Sequence, residues 1–126
     1  MKKLTLKKLK KKACDLHSKV VRMRAKGVCF TCGDQRHWKE QHAGHVIHRD
    51  SLDFDEIAIQ CQCEKCNETN CGESEKFATR LVNLYGLAAV EDIRWRANEI
   101  RIFTRDEIED FIKQYKSELE KLEAAS

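Results

Sequence analysis

Cys29-Phe-Thr-Cys32 and Cys63-Glu-Lys-Cys66 are two C-x-x-C motifs, with thirty residues between them, in a chain of 126 residues. Each motif can place two thiolates on one metal ion, and two motifs complete the tetrahedral four-thiolate shell of a structural zinc site. Because such a closed shell leaves no position for a substrate, we expect the zinc to stabilise the fold. Zinc binding supplies on the order of 10 kcal/mol or more, which is comparable to the whole stability of a small domain.

The other cysteines leave a second ligand set open. The chain has seven cysteines, and an odd number without a secretory signal pattern argues against a disulfide framework. Cys61 and Cys71 lie close to the second motif, so Cys61, Cys63, Cys66 and Cys71 can also form a site of their own. That arrangement would leave the first motif without a metal.

The segment that carries both motifs, residues 28–72, is rich in Cys, His and polar residues. It cannot hold itself together by apolar burial alone, so a metal is physically needed. We expect two short strands in it, around His42–His48 and Ile57–Gln62, and a brief helix that starts near Cys66.

Amphipathic helices flank this segment on both sides. Apolar residues recur every three or four positions over residues 5–25 and predict a helix that stops before Gly27. Its stripe consists of Leu6, Leu9, Ala13, Leu16, Val20 and Met23. Similar patterns predict a helix that Gly86 ends and another over residues 87–97, while the capping-box sequence Thr104-Arg-Asp-Glu107 opens a final helix. The stripe of that helix is Ile108, Phe111, Ile112, Tyr115, Leu119 and Leu122.

The length allows one modest hydrophobic core. We therefore expect a single domain over residues 1–126, with a basic N-terminal helix (1–26), a zinc-bound ββα centre (27–73) and C-terminal helices (74–126). The fold class is mainly α with a small zinc-stapled centre. We find no apolar run that would span a membrane and no signal-peptide pattern, so we expect a soluble protein without a membrane partner.

Charge is distributed unevenly along the chain. Residues 1–26 hold eleven Lys and Arg residues against one acid, whereas residues 104–126 hold four against seven acids. A basic arm on a mildly acidic body suggests a polyanionic partner, and nucleic acid is the most common one. A solvated helix face is the alternative. The lysines expected to contact DNA lie off the apolar stripe; they are Lys7, Lys8, Lys11, Lys12 and Lys19.

Between the two cysteine motifs lies a run of histidines, His42-Ala-Gly-His45-Val-Ile-His48. Hydrolysis of a phosphodiester needs a general base to activate water and a divalent metal to stabilise the leaving oxygen. A neutral histidine on a rigid strand suits the first role because its ordinary pKa is near neutrality. From composition alone, these histidines can equally be surface groups.

The order of these features resembles the NinG/Rap family of lambdoid phage recombination nucleases. C-x-x-C is followed by H-A-G-H, by an apolar strand and by C-x-x-C-N, and weaker matches extend the resemblance over roughly residues 10–95. More distantly, the order is similar to the ββα-metal (HNH-like) fold of phage endonuclease VII, which resolves Holliday junctions.

The resemblance implies a role for each matched residue. His45 matches the general base, and Asn67, directly after the second motif, matches a residue that helps to hold a catalytic Mg²⁺ or Mn²⁺ ion. The structural zinc ligands would be Cys29, Cys32, Cys63 and Cys66. The expected protein is an endonuclease that cuts branched DNA in phage recombination, as a homodimer in the cytoplasm of the bacterial host.

One departure from the HNH pattern bears on activity. These nucleases usually carry an acid, a metal ligand, just before the base histidine, and here that position is Gly44. His42 would have to compensate, with an acid from elsewhere in the chain. Two alternatives therefore stay open: a DNA-binding module without catalytic activity, and a less selective HNH nuclease that acts on duplex DNA.

Overall fold

The computed structural model describes residues 3–125. Within that range four α-helices surround a two-stranded sheet: α1 (Leu6–Arg24), β1 (His42–His45), β2 (Ile59–Gln62), α2 (Ser74–Tyr85), α3 (Leu87–Ala97) and α4 (Arg105–Ala125). Short 3-10 turns at Trp38–Glu40 and Asp50–Leu52 and a π-helical turn at Lys65–Thr69 complete the architecture. The mainly α fold with a small two-stranded centre is confirmed, while the closer likeness to HNH nucleases stays a prediction. No helix in the described range is long and apolar enough to cross a membrane.

The ends of the long helices follow from local hydrogen bonds. At the start of α4, the Glu107 N–H donates to Thr104 Oγ1 at 3.2 Å and the Thr104 N–H donates to Glu107 Oε1 at 3.1 Å. This is the reciprocal capping box that the sequence predicts. After α1, Gly27 has a φ of +72°, and a Cβ at this position would lie 1.8 Å from the Arg36 carbonyl oxygen. Only glycine allows this turn and this close approach.

The helices α1 and α4 lie side by side and run in the same direction. Arg105, at the start of α4, donates to the Leu4 carbonyl oxygen just before α1 at 2.8 Å, and Lys19 pairs with Glu123 near the other end at 3.8 Å. Their apolar stripes meet in the largest core of the described chain. Its buried members are Leu9, Ala13, Val20, Phe54, Phe103, Ile108, Ile112, Tyr115 and Leu119.

The buried face of α1 is wider than the expected stripe. Leu6, the first residue of the stripe, is 44% exposed, whereas His17 and Val21 are buried. The reason is that α1 contacts two partners. One side packs on α4, and the other packs on the sheet, where Val21 joins Ile59 and Cys61 in a small cluster.

The sheet is antiparallel, with His42 opposite Gln62 and His45 opposite Ile59. Both strands are shorter than expected. The Val46 N–H still donates to the Ala58 carbonyl oxygen at 2.9 Å, and the chain then turns away. This turn lets Leu52 bury its whole side chain in the second core.

The second core joins the sheet to α2 and α3. Its buried members are Leu52, Ala58, Phe77, Leu81, Val90, Ile93 and Ala97. Asp55 ties the loop before β2 to α3: its Oδ2 accepts a hydrogen bond from Arg96 at 2.6 Å, and its Oδ1 accepts from the N–H groups of Ile57 and Ala58. The second strand is thereby held against the helices that support it.

Candidate metal centre and histidine strand

The four cysteines of the two C-x-x-C motifs meet in the structure. Their Sγ atoms all lie within 4.8 Å of one another, and the Sγ atoms of Cys32 and Cys63 are 3.7 Å apart. Sulfurs at the usual zinc–sulfur distance in a tetrahedron lie about 3.8 Å apart. The cluster therefore fits a structural zinc ion, which Cys29, Cys32, Cys63 and Cys66 would hold.

Backbone N–H groups shape each motif around the sulfurs. The Asp34 N–H points at Cys32 Sγ at 3.4 Å, and the Cys66 N–H points at Cys63 Sγ at 3.4 Å. Phe30, inside the first motif, donates its N–H to the Cys61 carbonyl oxygen of β2 at 2.7 Å. The first motif is thus fixed to the strand that leads into the second.

The thiols of the cluster differ in acidity. Burial raises the pKa of Cys29, but hydrogen bonds from Thr31 and from backbone N–H groups outweigh it and lower the pKa to about 6. Burial raises the pKa of Cys66. Because zinc binds thiolates, the Cys29 thiolate is available at neutral pH and binding must release protons from its neighbours.

The remaining cysteines lie outside this centre. Cys61 is buried against α1, and burial raises the pKa of its thiol to about 11. Cys71 is exposed. In the part of the chain that the structure describes, the only cluster of His, Cys, Asp and Glu that could hold a metal is the one formed by the two motifs. The alternative set with Cys61 and Cys71 is not formed there.

A second polar group lies directly after the second motif. The Asn67 amide nitrogen is 3.0 Å from His42 Nδ1, and Glu68 Oε1 is 3.8 Å from the same nitrogen. His42 and Asn67 were expected to share a divalent ion, and the structure brings them together. Sequence reasoning missed Glu68, because its approach to His42 depends on the shape of the turn Lys65–Thr69. These three side chains form a polar group separate from the cysteine cluster.

His45 lies in a different environment. It lines a cleft of about 350 Å³ with His48, Arg49, Asp50 and Asp53, and its ring centroid is 5.2 Å from that of His48. Burial and, to a lesser degree, the neighbouring His48 lower the pKa of His45. Its imidazole is therefore neutral at pH 7, as a general base requires.

The sheet separates the two histidines that were expected to act together. Successive residues of a strand point to opposite faces. Ala43 packs towards α1, and His45, two residues on, lines a small pocket with His17 and Ser18 of α1. His42 instead faces the turn that carries Asn67. The candidate catalytic residues therefore form two groups, one on each face.

Comparison with known proteins places this arrangement in a family. The family model described as bacteriophage lambda NinG protein matches residues 1–125. The chain belongs to the NinG family. Two curated NinG-family relatives, the proteins named ninG of Escherichia phage 933W and of Enterobacteria phage VT2-Sa, are each 30% identical over 82 residues, which is 58% of this chain and 41% of the relative. The chain thus spans about two fifths of their length. No solved structure gives a significant match.

In this NinG-family chain, Gly44 stands directly before His45, and the structure shows what occupies the space beside it. A Cβ on Gly44 would lie 1.8 Å from Gln62 Oε1. The Gln62 side chain is fully buried and is held in place because its amide donates to the Gly72 carbonyl oxygen at 2.9 Å and to Thr31 Oγ1 at 3.1 Å. Position 44 therefore has no room for a carboxylate.

The lysines of the NinG-family chain that were expected to contact DNA are not equivalent. Lys7, Lys8 and Lys12 are exposed on α1. Lys11 is also exposed, and it pairs with Asp15 at 2.9 Å. Lys19 is turned towards the protein, where it pairs with Glu123 and lies over the Trp38 ring. Free cations are therefore concentrated in the first two turns and a half of α1.

Proposed function

We propose that this NinG-family chain is a metal-dependent endonuclease that cuts branched DNA during phage recombination. The observation that carries the proposal is the group that His42 of β1 forms with Asn67 and Glu68. Asn67 and Glu68 directly follow the second cysteine motif. A rigid metal-stapled frame next to a second set of metal ligands suits phosphodiester hydrolysis. The basic first turns of α1 supply the attraction for the phosphate backbone.

Each group has a role in this proposal. His45 Nε2 or Nδ1 takes a proton from water, the water oxygen attacks phosphorus, and the bond from phosphorus to the 3′ oxygen breaks. The departing oxygen takes a proton from solvent, so the products are a 5′ phosphate and a 3′ hydroxyl. A Mg²⁺ or Mn²⁺ ion held by His42, Asn67 and Glu68 would stabilise the charge on the departing oxygen. The proposal requires the phosphate to contact both groups, although His45 lies on the other face of the sheet.

The position of the His45 cleft relative to α1 supports its role. Asp53, which lines the cleft, pairs with Lys10 of α1 at 3.0 Å. The cleft therefore borders the helix that carries Lys7, Lys8, Lys11 and Lys12. DNA that follows these lysines would pass the cleft, where Arg49 is a further cation.

Cutting two symmetric strands of a junction calls for two active sites, so a homodimer is part of the proposal. Two long amphipathic terminal helices are the surfaces that the sequence offers for a dimer. Since α1 and α4 bury their apolar stripes against each other, those stripes are occupied within the chain. The dimer must use another surface.

A second function is favoured by one specific observation. His42 and His45 lie on opposite faces of the sheet, and Gln62 fills the place of the acid. A protein with this arrangement that binds branched DNA without cutting it would be a zinc-stapled binding module. Its lysines and its zinc site would keep the same roles.

The deciding experiment is a cleavage assay on four-way junction, flap, Y-shaped and linear DNA with Mg²⁺ and with Mn²⁺. We expect the parent protein to cut branched substrates. His45→Ala should lower the rate by roughly 10²- to 10⁴-fold while DNA binding is retained. Glu68→Gln should raise the metal concentration needed for half-maximal cleavage by roughly tenfold or more.

Controls make the outcome specific. Glu64→Gln changes an exposed acid on the same turn as Glu68 and should cut like the parent. If His48→Ala is inactive and His45→Ala is active, the base has been assigned to the wrong histidine of the cleft. A parent protein that binds branched DNA and never cuts it would instead establish the binding module.

A further inference from the structure

Trp38 is an aromatic side chain that the proposed function does not use, and cations surround its ring. Lys19 Nζ, Arg22 Cζ and Lys39 Nζ lie 5.6, 5.2 and 5.8 Å from the ring centroid. Such cations are attracted to the electron-rich faces of an indole. The ring is half-buried, so part of its surface stays open to solvent.

The turn that carries Trp38 is held firmly on the end of α1. The buried amide of Gln41 donates to the Gly27 carbonyl oxygen at 2.8 Å and to that of Asp34 at 3.2 Å. From the helix, Arg22 Nη1 donates to the Gln41 carbonyl oxygen at 3.4 Å. The backbone that carries the Trp38 indole is therefore fixed before a ligand binds, so binding costs little conformational entropy.

Beside the ring lies a groove of about 400 Å³ between the ends of α1 and α4. Met23, Trp38 and Leu122 give it an apolar floor, and Lys26 and Arg36 lie on its rim. Three acids lie close by: Asp34 pairs with Arg36 at 2.9 Å, Glu123 pairs with Lys19 at 3.8 Å, and Glu40 ends the turn that carries Trp38. The cations of this region outnumber these acids.

We infer that this groove, the Trp38 groove, binds an unpaired base of DNA stacked on the indole, with the neighbouring phosphates on the surrounding cations. An aromatic ring surrounded by cations suits single-stranded nucleic acid. The ring can stack on the π face of any base, and the cations can pair with the negatively charged linkages. Lys19, Lys26 and Lys39 are long enough to swing towards phosphates, whereas Arg22 is held by its backbone hydrogen bonds. The inference rests on the proposed function for the choice of DNA, and it adds a means to recognise forks and flaps, whose arms carry unpaired bases.

The affinity for forked DNA tests this inference. It is measured with the zinc-loaded full chain and without Mg²⁺ or Mn²⁺, so that the result does not depend on cleavage. One fork has unpaired arms of ordinary nucleotides, and a second has arms of abasic nucleotides with the same phosphates. We expect Trp38→Ala to weaken binding of the first fork by roughly 5- to 100-fold, the effect of removing one or two stacking contacts. Binding of the abasic fork should change less than about twofold, and Trp38→Phe should recover most of the lost affinity.

The second tryptophan provides the matched control. Trp95 is 71% exposed on α3, and Trp95→Ala should bind both forks like the parent. An equal loss on both forks, or no loss with Trp38→Ala, would overturn the inference. Polyglutamate that competes as well as single-stranded DNA would also overturn it, since charge alone would then explain binding.

A second measurement leaves Trp38 unchanged and holds even if Trp38→Ala fails to fold. The chain has two tryptophans, so Trp95→Phe makes Trp38 the only one. Its fluorescence should be quenched by a single-stranded oligonucleotide and much less by the abasic equivalent, because stacking requires the base. Equal responses to the two oligonucleotides would show that no base stacks on Trp38.

Discussion

Replacement of Cys63 by serine is the sharpest test of how this fold is held together. Cys63 supplies one of four sulfurs that lie within 4.8 Å of one another, and its Sγ also receives the Cys66 N–H at 3.4 Å. Cys63→Ser removes one ligand of four. We expect the purified parent to carry about one zinc per chain and the variant to carry little or none.

The size of the effect follows from what surrounds the cluster. Cys29, Cys63 and Cys66 form a buried cluster of their own, separate from the apolar cores. Phe30, inside the first motif, packs on Phe77 of the second core, but Glu64 and Lys65, inside the second motif, are exposed and offer no apolar contact that would replace the metal. A structural zinc site contributes about 10–16 kcal/mol, and a whole domain has a net stability of about 5–15 kcal/mol. Residues 28–72 should therefore unfold in the variant.

Zinc content, thermal unfolding and hydrogen exchange together measure this outcome. In the variant, amides of residues 28–72 should exchange rapidly, while the core between α1 and α4 keeps more of its protection. Cys71→Ser is the matched control, because Cys71 is exposed and outside the cluster; it should change stability by less than about 0.5 kcal/mol. A folded, zinc-free Cys63→Ser protein with parental exchange would refute the reasoning.

Three further outcomes follow from the charges and the buried polar groups. Changing Lys7, Lys8, Lys11 and Lys12 together to Gln should weaken DNA binding and reduce the slope of log affinity against log salt by about 0.9 for each lost phosphate contact; an unchanged slope would show that they do not touch DNA. Asp55→Ala should lower the free energy of unfolding by about 2–4 kcal/mol, because it removes the Arg96 pair and two backbone hydrogen bonds. Asp92→Ala removes an exposed pair and should lower it by less than about 1 kcal/mol. Equal losses would show that Asp55 does not hold the loop before β2 against α3. Burial lowers the pKa of His17, so the unfolded chain takes up a proton before the folded chain does as pH falls from 7 to 5. The free energy of unfolding should therefore decrease by up to about 1.4 kcal/mol per pH unit because of this group. Chemical denaturation of His17→Leu should show a smaller decrease over the same pH range, and a decrease equal to that of the parent would assign the effect to other groups.

The helices could be predicted from the sequence because each carries its own local signals. Apolar spacing and the glycine after α1 predicted residues 5–25, and the structure has Leu6–Arg24. The capping box predicted the start of α4 and forms as expected. Periodicity shows that a helix has a buried face, but it does not identify the partner. For this reason the parallel packing of α1 on α4 could not be predicted.

Polar residues inside the buried face were a further difficulty. His17 is 2% exposed and stacks on Tyr115 with ring centroids 4.7 Å apart. Its Nε2 lies 3.7 Å from Glu56 Oε1, and because burial keeps the imidazole neutral at pH 7, this contact is not an ion pair there. A histidine among lysines on a helix is usually taken as exposed. The position is buried because α1 contacts two partners at this point, α4 through Tyr115 and the sheet through Ala43 and Ile59.

The candidate site was partly predictable. Two C-x-x-C motifs are a specific signal for one shared metal, and their four cysteines do meet. The separation of His42 from His45 was also available from the sequence, because residues three apart on a strand point to opposite faces. The contribution of Glu68 depends on the shape of the π-helical turn Lys65–Thr69, which no local pattern specifies.

Position 44 connects these observations. Gly44 and His42 are two residues apart on β1, so an acid at position 44 would project from the same face as His42, towards the Asn67 side. Here the buried Gln62 side chain fills that space and fastens β2 to Thr31 of the first cysteine motif and to Gly72, whose N–H donates to the Cys66 carbonyl oxygen of the second motif. The carboxylate near His42 comes instead from Glu68, on the turn after the second motif. On the proposed function, the acid beside His42 is therefore supplied by Glu68 from the turn, and the side chain beside Gly44 supports the zinc centre.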